Sequence, residues 1–394
     1  MYAPVCDNPI GTVRSIVKPV GAGRTVYVAS AGEIKKIDAT GSVTPWVGKN
    51  GSSGRSNFST DCGVVEVGAG VGVCAPGPLV IDALGTILFI DKFLASNEDA
   101  SSPGGGQVLP TSDSSKSGFG GDFRPRNVLG QLRRMSKEGV VSGVLSHRYG
   151  LGGVAVDAAG NIYVGELSFK PPSPNCNIFL SGSCSAIVNG GSVWKLSPTG
   201  AVTRIWTNPA VSPVRIVMDA SGNLYVGANQ SRYSAYSFSD RKIVKLSPDG
   251  EVLGTISEPF TVSGDFTVDA QGNLVIASSN RVRKISPAGL TTEFGLAGSP
   301  GAVDGPGEVA RFSEISGLAF DPVGNIFVAD RDNHAIRKIS PAGIVSTVVG
   351  KLGSSGIVLG DLPGSLYQPS GLAFDKEGML YISSGDAILK VKLP

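Results

Sequence analysis

The sequence predicts an all-β chain of repeated four-stranded antiparallel units, and three observations predict it. A pattern of four short apolar runs divided by Gly-rich turns recurs along the chain. Glycine is abundant, at 55 of 394 residues, as many tight turns require. Charged residues make up only 17% of the sequence and hydrophobic residues 41%, which suits a chain with a substantial core.

The clearest copy runs from Ser316 to Gly350, SGLAFDPVGNIFVADRDNHAIRKISPAGIVSTVVG. Earlier copies align on it. GVAVDAAGNIYVG from Gly153 is followed by VWKLSPTG from Val193, and IVMDASGNLYVG from Ile216 by IVKLSPDG from Ile243. FTVDAQGNLVIA from Phe266 continues with VRKISPAG from Val282, and the last copy starts GLAFDKEGMLYIS at Gly371 and stops in ILKVKLP. Two degenerate copies come first: TVYVAS from Thr25 with IKKIDATG from Ile34, and LVIDALGTILFID from Leu79 with LRRMSKEG from Leu132.

Each unit reads as strand a, a D-x-x-G-N turn, strand b, a variable loop, strand c, an S-P-x-G turn and strand d. In the first turn Asp157, Asp219, Asp269 or Asp321 can accept hydrogen bonds from the turn's own backbone, and the Gly that follows tolerates positive φ. In the second, Pro198, Pro248, Pro287 and Pro341 preset φ ahead of Gly200, Gly250, Gly289 and Gly343. Strands a and b are almost continuously apolar, as expected of sheets covered on both faces. Four-stranded blades around an axis supply that cover, so the expected architecture is a β-propeller. Seven blades are expected, with six as the alternative, in one domain spanning residues 1–394. The last unit lacks a strand d, and the segment Tyr2 to Cys6 is expected to supply it and close the ring.

The run DPVGNIFVADRDNHAIRKISPAG, Asp321 to Gly343, resembles the NHL repeat, named for an Asn-His-Leu signature; here Asn333 and His334 are followed by Ala335. The resemblance implies a β-propeller over nearly the whole chain, more strongly in the last five units than in the first two. Propellers of related kind include amidating lyases, strictosidine-synthase-like enzymes and lactonases, a likeness of fold that implies little about chemistry.

Antiparallel alternation puts the a–b and c–d turns on one face and the b–c and d–a loops on the other. The first face carries only short turns. The second carries b–c insertions at about 92–130, 168–191 and 229–241, together with d–a loops at 49–78, 295–313 and 351–369. Elaborated loops on a rigid scaffold are where binding usually resides, although surface loops also tolerate extra length cheaply. Within 229–241, Tyr233, Tyr236 and Phe238 lie between Arg232 and Arg241, residue types favoured at binding hot spots. His334 and Arg331, after strand b, are further candidate contacts on this face, while His147 lies in a separate d–a loop.

Asp91, Glu166 and Asp330 follow strand b in three units and are candidates for holding a hard cation such as calcium; the alternative is that each caps its own loop. Every strand c carries a base: Lys36, Arg134, Lys195, Lys245, Lys284, Lys338 and Lys390. Such long side chains can lie along apolar surface with their heads in water, so this ring is not read as a polyanion site. Cys62 with Cys74, and Cys176 with Cys184, form two local pairs in Gly/Ser/Asn-rich loops and suit disulfides, with Cys6 left over; four free thiols are the alternative.

A net charge of +2 gives no basic field for nucleic acid, and no apolar stretch is long enough to span a bilayer. No serine-nucleophile elbow or phosphate-cradling loop occurs, and two histidines are too few for a histidine-rich metal lyase. The expectation is a non-catalytic binding scaffold for a protein or glycan, without a cofactor, and secreted, periplasmic or at the cell surface with its leader removed. The alternatives are a propeller hydrolase or lyase with a channel-bound cation, and a structural repeat domain of a larger assembly.

Overall fold

The computed structural model describes residues 2–4, 13–17, 26–30, 33–38, 43–48, 76–82, 86–94, 107–108, 128–135, 141–147, 151–170, 187–208, 211–230, 241–257, 265–358, 360–374, 378–385 and 387–393. All of its regular structure is β, in seven sheets among the described residues.

In chain order, β1 (Tyr2–Pro4) belongs to the last sheet. The first repeat forms β2 (Val13–Val17), β3 (Val26–Ser30), β4 (Glu33–Ile37) and β5 (Val43–Gly48), hydrogen-bonded in that order. The second forms β6 (Pro76–Ile81), β7 (Ile87–Leu94), β8 (Gln107–Val108), β9 (Val128–Met135) and β10 (Val141–His147), with β8 lying parallel along the outer side of β10. The third forms β11 (Leu151–Val156), β12 (Ile162–Lys170), β13 (Ile187–Leu196) and β14 (Val202–Asn208), and the fourth β15 (Val211–Met218), β16 (Leu224–Gln230), β17 (Arg241–Leu246) and β18 (Val252–Ser257). The fifth forms β19 (Phe266–Val268), β20 (Leu274–Ser278), β21 (Arg281–Ile285) and β22 (Thr291–Phe294). In the sixth, β24 (Ile315–Phe320), β25 (Ile326–Asp330), β26 (Ala335–Ile339) and β27 (Ile344–Val349) are extended at the edge by β23 (Gly305–Pro306). The seventh has β28 (Pro369–Phe374), β29 (Met379–Ser384) and β30 (Ala387–Lys392), and β1 pairs antiparallel with β30, Tyr2 opposite Val391. The outer strand expected from the start of the chain is therefore in place.

The ladder also runs into the ends of the expected insertions. Lys170 pairs with Ile187, Asn229 with Arg241 and Leu94 with Val128, so each b–c loop rises from a hairpin longer than the apolar pattern indicated.

The two turn types fold as their residues dictate. Asp157 Oδ1 accepts the Asn161 amide at 2.8 Å, and Oδ2 accepts the Asn161 side chain at 2.7 Å. Asp269 repeats both bonds with Asn273. In the second turn Ser197, Ser247, Ser286 and Ser340 each accept, through Oγ, the amide four residues on, while Gly200, Gly250, Gly289 and Gly343 adopt φ of 81° to 92°. These turns satisfy their own polar groups, so the face that carries them can stay short.

The strand c bases follow the cross-strand register. Lys195, Lys245 and Lys390 stand directly opposite Tyr163, Tyr225 and Tyr381 of strand b. Their ammonium groups lie 5.7, 5.0 and 5.7 Å from those ring centroids, within cation–π range. Lys195 reaches onward to Asp249 at 3.0 Å, a bond that holds its ammonium above the usual lysine range.

The chain divides into two compact units: one comprises residues 1–46, 217–222 and 258–394, the other 47–216 and 223–257. In the second unit Leu88, Ile90, Leu132, Leu151, Val164 and Trp194 pack one core. In the first unit, one core gathers Val275, Val282, Phe312, Ile315, Val328 and Ile339, and another gathers Phe327, Ile336, Val349, Leu380, Ile382 and Leu389.

Candidate functional site

At the loop-bearing ends of β25 and β26, the b–c turn 331–334 meets the d–a loops 295–313 and 351–368. β26 is buried on both faces, with Lys338 alone partly exposed, and Arg337 in its middle is fully buried. A buried guanidinium is tolerable only if its donors are filled. Here all five are used. Nη1 donates to Asp330 Oδ2 at 2.8 Å and to the Arg311 carbonyl at 3.0 Å. Nη2 donates to Asp304 Oδ1 and the Val303 carbonyl, both at 2.6 Å, and Nε to Asp304 Oδ1 at 3.1 Å. The guanidinium carbon lies 5.2 Å from the Phe312 ring centroid.

Both acidic partners extend the network. Asp304 Oδ2 accepts the Thr347 amide at 3.0 Å. Asp330 Oδ1 accepts the Ser313 amide at 2.7 Å, and Oδ2 accepts Asn333 Nδ2 at 2.9 Å; that nitrogen also donates to the Gly301 carbonyl at 2.6 Å. Burial pushes the Asp330 carboxyl above the ordinary aspartate range, opposed by Asn333, the Ser313 amide and Arg337. One side chain of strand c thus pins three points of the loop 295–313.

The second loop is held by shorter links. Tyr367 is clamped through its backbone: its amide donates to Ser384 Oγ at 2.8 Å, and Ser384 Oγ donates back to its carbonyl at 3.0 Å. The residue is 46% exposed, and its ring stacks on His334 with centroids 5.8 Å apart and planes 11° from parallel. His334 Nδ1 accepts the Gln368 amide at 3.1 Å, which fixes the imidazole with its Nε2 as the remaining ring position. Among the described residues, four non-glycine residues have positive φ, namely Ser279, Glu314, His334 and Gln368, at 24° to 56°. Ser279 and His334 stand in b–c turns, and Glu314 and Gln368 directly precede strand a, all at the loop-bearing ends. Such backbone persists only where surrounding bonds over-determine it. Leu296, Val303 and Val309 in one loop, and Ile357 and Val358 in the other, are exposed.

Of the residues singled out in the sequence, Asp330, Arg331 and His334 come together here; the Arg331 amide donates to the Glu314 carbonyl at 3.2 Å. Asp330 is a structural anchor whose lone pairs face Ser313, Asn333 and Arg337, and a cation bound to it would meet the guanidinium. Glu166 Oε2 accepts Trp194 Nε1 at 2.6 Å. Asp91, His147 and Arg241 lie in strands, with side chains outside the described residues. Arg232, Tyr233, Tyr236, Phe238 and the cysteines Cys6, Cys62, Cys74, Cys176 and Cys184 also fall outside the described residues. Among the described residues, no group of three His, Cys, Asp or Glu side chains is placed to hold a metal ion.

Arg337 and Asp304 carry most of the polar organisation, and sequence reading passed over both. The available signal was the doublet Arg337-Lys338: on a strand, adjacent bases point to opposite faces, so only one of them can lie along the solvated side.

Residues 312–339 match the family model described as the NHL repeat. No curated protein matches the chain. Among solved structures, a streptogramin B lyase is similar with a TM-score of 0.57 and 13% identity, covering all of this chain and 97% of that one. A virginiamycin B lyase from Staphylococcus aureus has a TM-score of 0.58 and 14% identity over 99% of this chain and 97% of the other. A catalytically inactive form of that lyase with quinupristin gives 0.58 and 13% over the same shares. These similarities show the fold, a β-propeller.

Proposed function

We propose, from a β-propeller fold that carries an NHL repeat at 312–339, that this chain is a non-catalytic binding scaffold whose loop-rich face recognises a protein or glycan. The observation that supports it best is the Arg337 network. It fixes a loop that holds Leu296, Val303 and Val309 in water. A surface ordered before its partner arrives loses little entropy on binding, which is how rigid paratopes gain affinity. Tyr367, half exposed and clamped by Ser384, adds an aromatic contact of the kind found at hot spots. Tyr233, Tyr236 and Phe238, flanked by Arg232 and Arg241, are the corresponding candidates on the 229–241 loop.

The test is binding of the full chain to arrays of immobilised glycans and of extracellular protein domains. A saturable signal that falls at least tenfold with Tyr367→Ala, or with Tyr233, Tyr236 and Phe238 all changed to Ala, at unchanged thermal midpoint, is the expected result. Signals that persist in both variants would remove these sites.

A propeller hydrolase or lyase is the second reading, prompted by the lyases among the similar structures. At 13–14% identity the likeness carries no chemistry across. Of the three carboxylates considered as cation ligands, Asp330 is tied to Arg337 and Glu166 to Trp194.

An exported location follows from reading Cys62–Cys74 and Cys176–Cys184 as disulfides. Intact mass after alkylation without reductant is expected to show one alkylated thiol, Cys6. Five alkylated thiols would place the chain in a reducing compartment.

A further inference from the structure

Most bonds that seat the loop 351–368 are indifferent to pH. The Gly350 amide donates to the Pro363 carbonyl at 2.7 Å, the Gly353 amide donates to the Asn333 carbonyl at 3.3 Å, and Ser384 clamps the Tyr367 backbone, all through groups that do not titrate. Leu366 is fully buried and packs in one core with Ile336, Leu380 and Leu389.

The bond from the Gln368 amide to His334 Nδ1 differs. An imidazole nitrogen accepts only while it carries no proton, so the seated segment requires the neutral ring with its proton on Nε2. A proton added to Nδ1 points at the Gln368 N–H. Rotating the ring offers no escape, because both nitrogens of the cation are donors. The ring must then leave Gln368, and with it the stack on Tyr367. Both ends of the bond sit in left-handed backbone, His334 at φ 56° and Gln368 at φ 44°, conformations that persist only where surrounding bonds over-determine them. Loss of the bond lets both residues relax.

We propose that His334 is a proton-operated latch on the segment Tyr367–Gln368, closed with the ring neutral and open with the ring protonated. The other titratable or charged groups on the elements around it are Arg331 and Asp332 of its own turn, Glu314, whose carbonyl takes the Arg331 amide, and Lys351, Asp361 and Tyr367 of the loop. The Asp330–Arg337 pair lies at the base of the turn. Among unperturbed side chains, only the imidazole changes charge between about pH 5 and 8. Asp330 is raised towards that range by burial, and its own reporter is the Ser313 amide bonded to its Oδ1. One consequence rests on the binding reading above: a ligand that contacts Tyr367 is held at neutral pH and released in acid.

Amide exchange on the full chain tests the latch without any ligand, so its failure is distinct from failure of the binding reading. Protection of the Gln368 amide, taken relative to an unstructured chain at the same pH, is expected to fall about fivefold between about pH 7.5 and 5, the worth of one ordinary hydrogen bond. His334→Asn sets an amide oxygen one bond from Cγ, where Nδ1 stands, and tolerates left-handed backbone, so it keeps the protection and loses the pH dependence. His334→Ala lacks the protection at both pH values. The chain has two histidines, so His147→Gln leaves His334 as the single imidazole, and nitrogen NMR of that variant is expected to place the proton on Nε2 at about pH 7.5. A proton on Nδ1, protection of Gln368 that is flat with pH, or a pH dependence that survives His334→Asn or follows the Ser313 amide would overturn the proposal.

Discussion

Arg337→Ala lowers stability by about 3–5 kcal/mol at neutral pH, the cost of leaving one member of a buried ion pair without the other. The substitution strips all five hydrogen bonds from Asp330, Asp304, Arg311 and Val303. Asp304 is partly exposed and water can take over its share, whereas Asp330 is fully buried and cannot recruit water in the same way. Urea unfolding followed by tryptophan fluorescence measures the loss.

The loss depends on pH in a defined sense. Burial already raises the Asp330 carboxyl in the folded chain, and removing Arg337 raises it further. The unfolded chain ionises the same group near an ordinary value of about 3.9, so folding stability of the variant falls as pH rises from there through the raised folded value. The gap between variant and parent is therefore smaller near pH 4 than at pH 7. Arg337→Lys keeps the charge but offers three donors in place of five, so its loss is intermediate. Equal losses for Ala and Lys, independent of pH, would mean that packing against Phe312 dominates over the ion pair.

The second large effect separates two causes usually measured together. Gly250 and Gly289 occupy the same position of the same S-P-x-G turn, at φ of 92° and 82°. An alanine at either must enter left-handed backbone, at about 1–2 kcal/mol. At Gly289 a Cβ meets nothing within 4 Å, so the conformational cost is all that Gly289→Ala incurs. At Gly250 it would lie 1.9 Å from the Ile205 carbonyl oxygen and 2.6 Å from its carbon, which are backbone atoms of β14 that can yield only by moving the strand. Overpacking of that kind adds roughly 1–3 kcal/mol. Gly250→Ala is thus expected to lose at least twice as much as Gly289→Ala in thermal or urea midpoints. Comparable losses would mean that β14 gives way at little cost.

These two turns also mark how far the sequence could be read. Their conformation was legible because it is local: Ser, Pro and Gly at fixed offsets carry the hydrogen bond, the φ and the reversal within five residues. The same holds for Asp157 and Asp269, which bond their own turns. What distinguishes Gly250 from Gly289 is a neighbouring blade, and nothing in either turn encodes it. The Arg337 network was hidden for the same reason. Asp304 and the carbonyls of Val303 and Arg311 lie some thirty residues before Arg337, in a loop with no apolar period to place it. The two-residue strands β8 and β23 are too short to generate an alternation, yet they decide which sheet edges are covered. Sequence periodicity reports what each strand buries and is silent on what reaches its outer side.

The pairing of β1 with β30 bears on how the chain acquires its structure. Tyr2 and Val391 are neighbours in one ladder although almost the whole chain separates them. Contacts of that span are the slowest to form, since the loop between them must be closed before the pairing contributes. The other six sheets draw their four main strands from consecutive residues and can assemble as each repeat becomes available. The last sheet cannot. Its outer strand waits for the repeat at the far end of the sequence, so exchange protection of β1 is expected to develop after that of the other sheets during refolding.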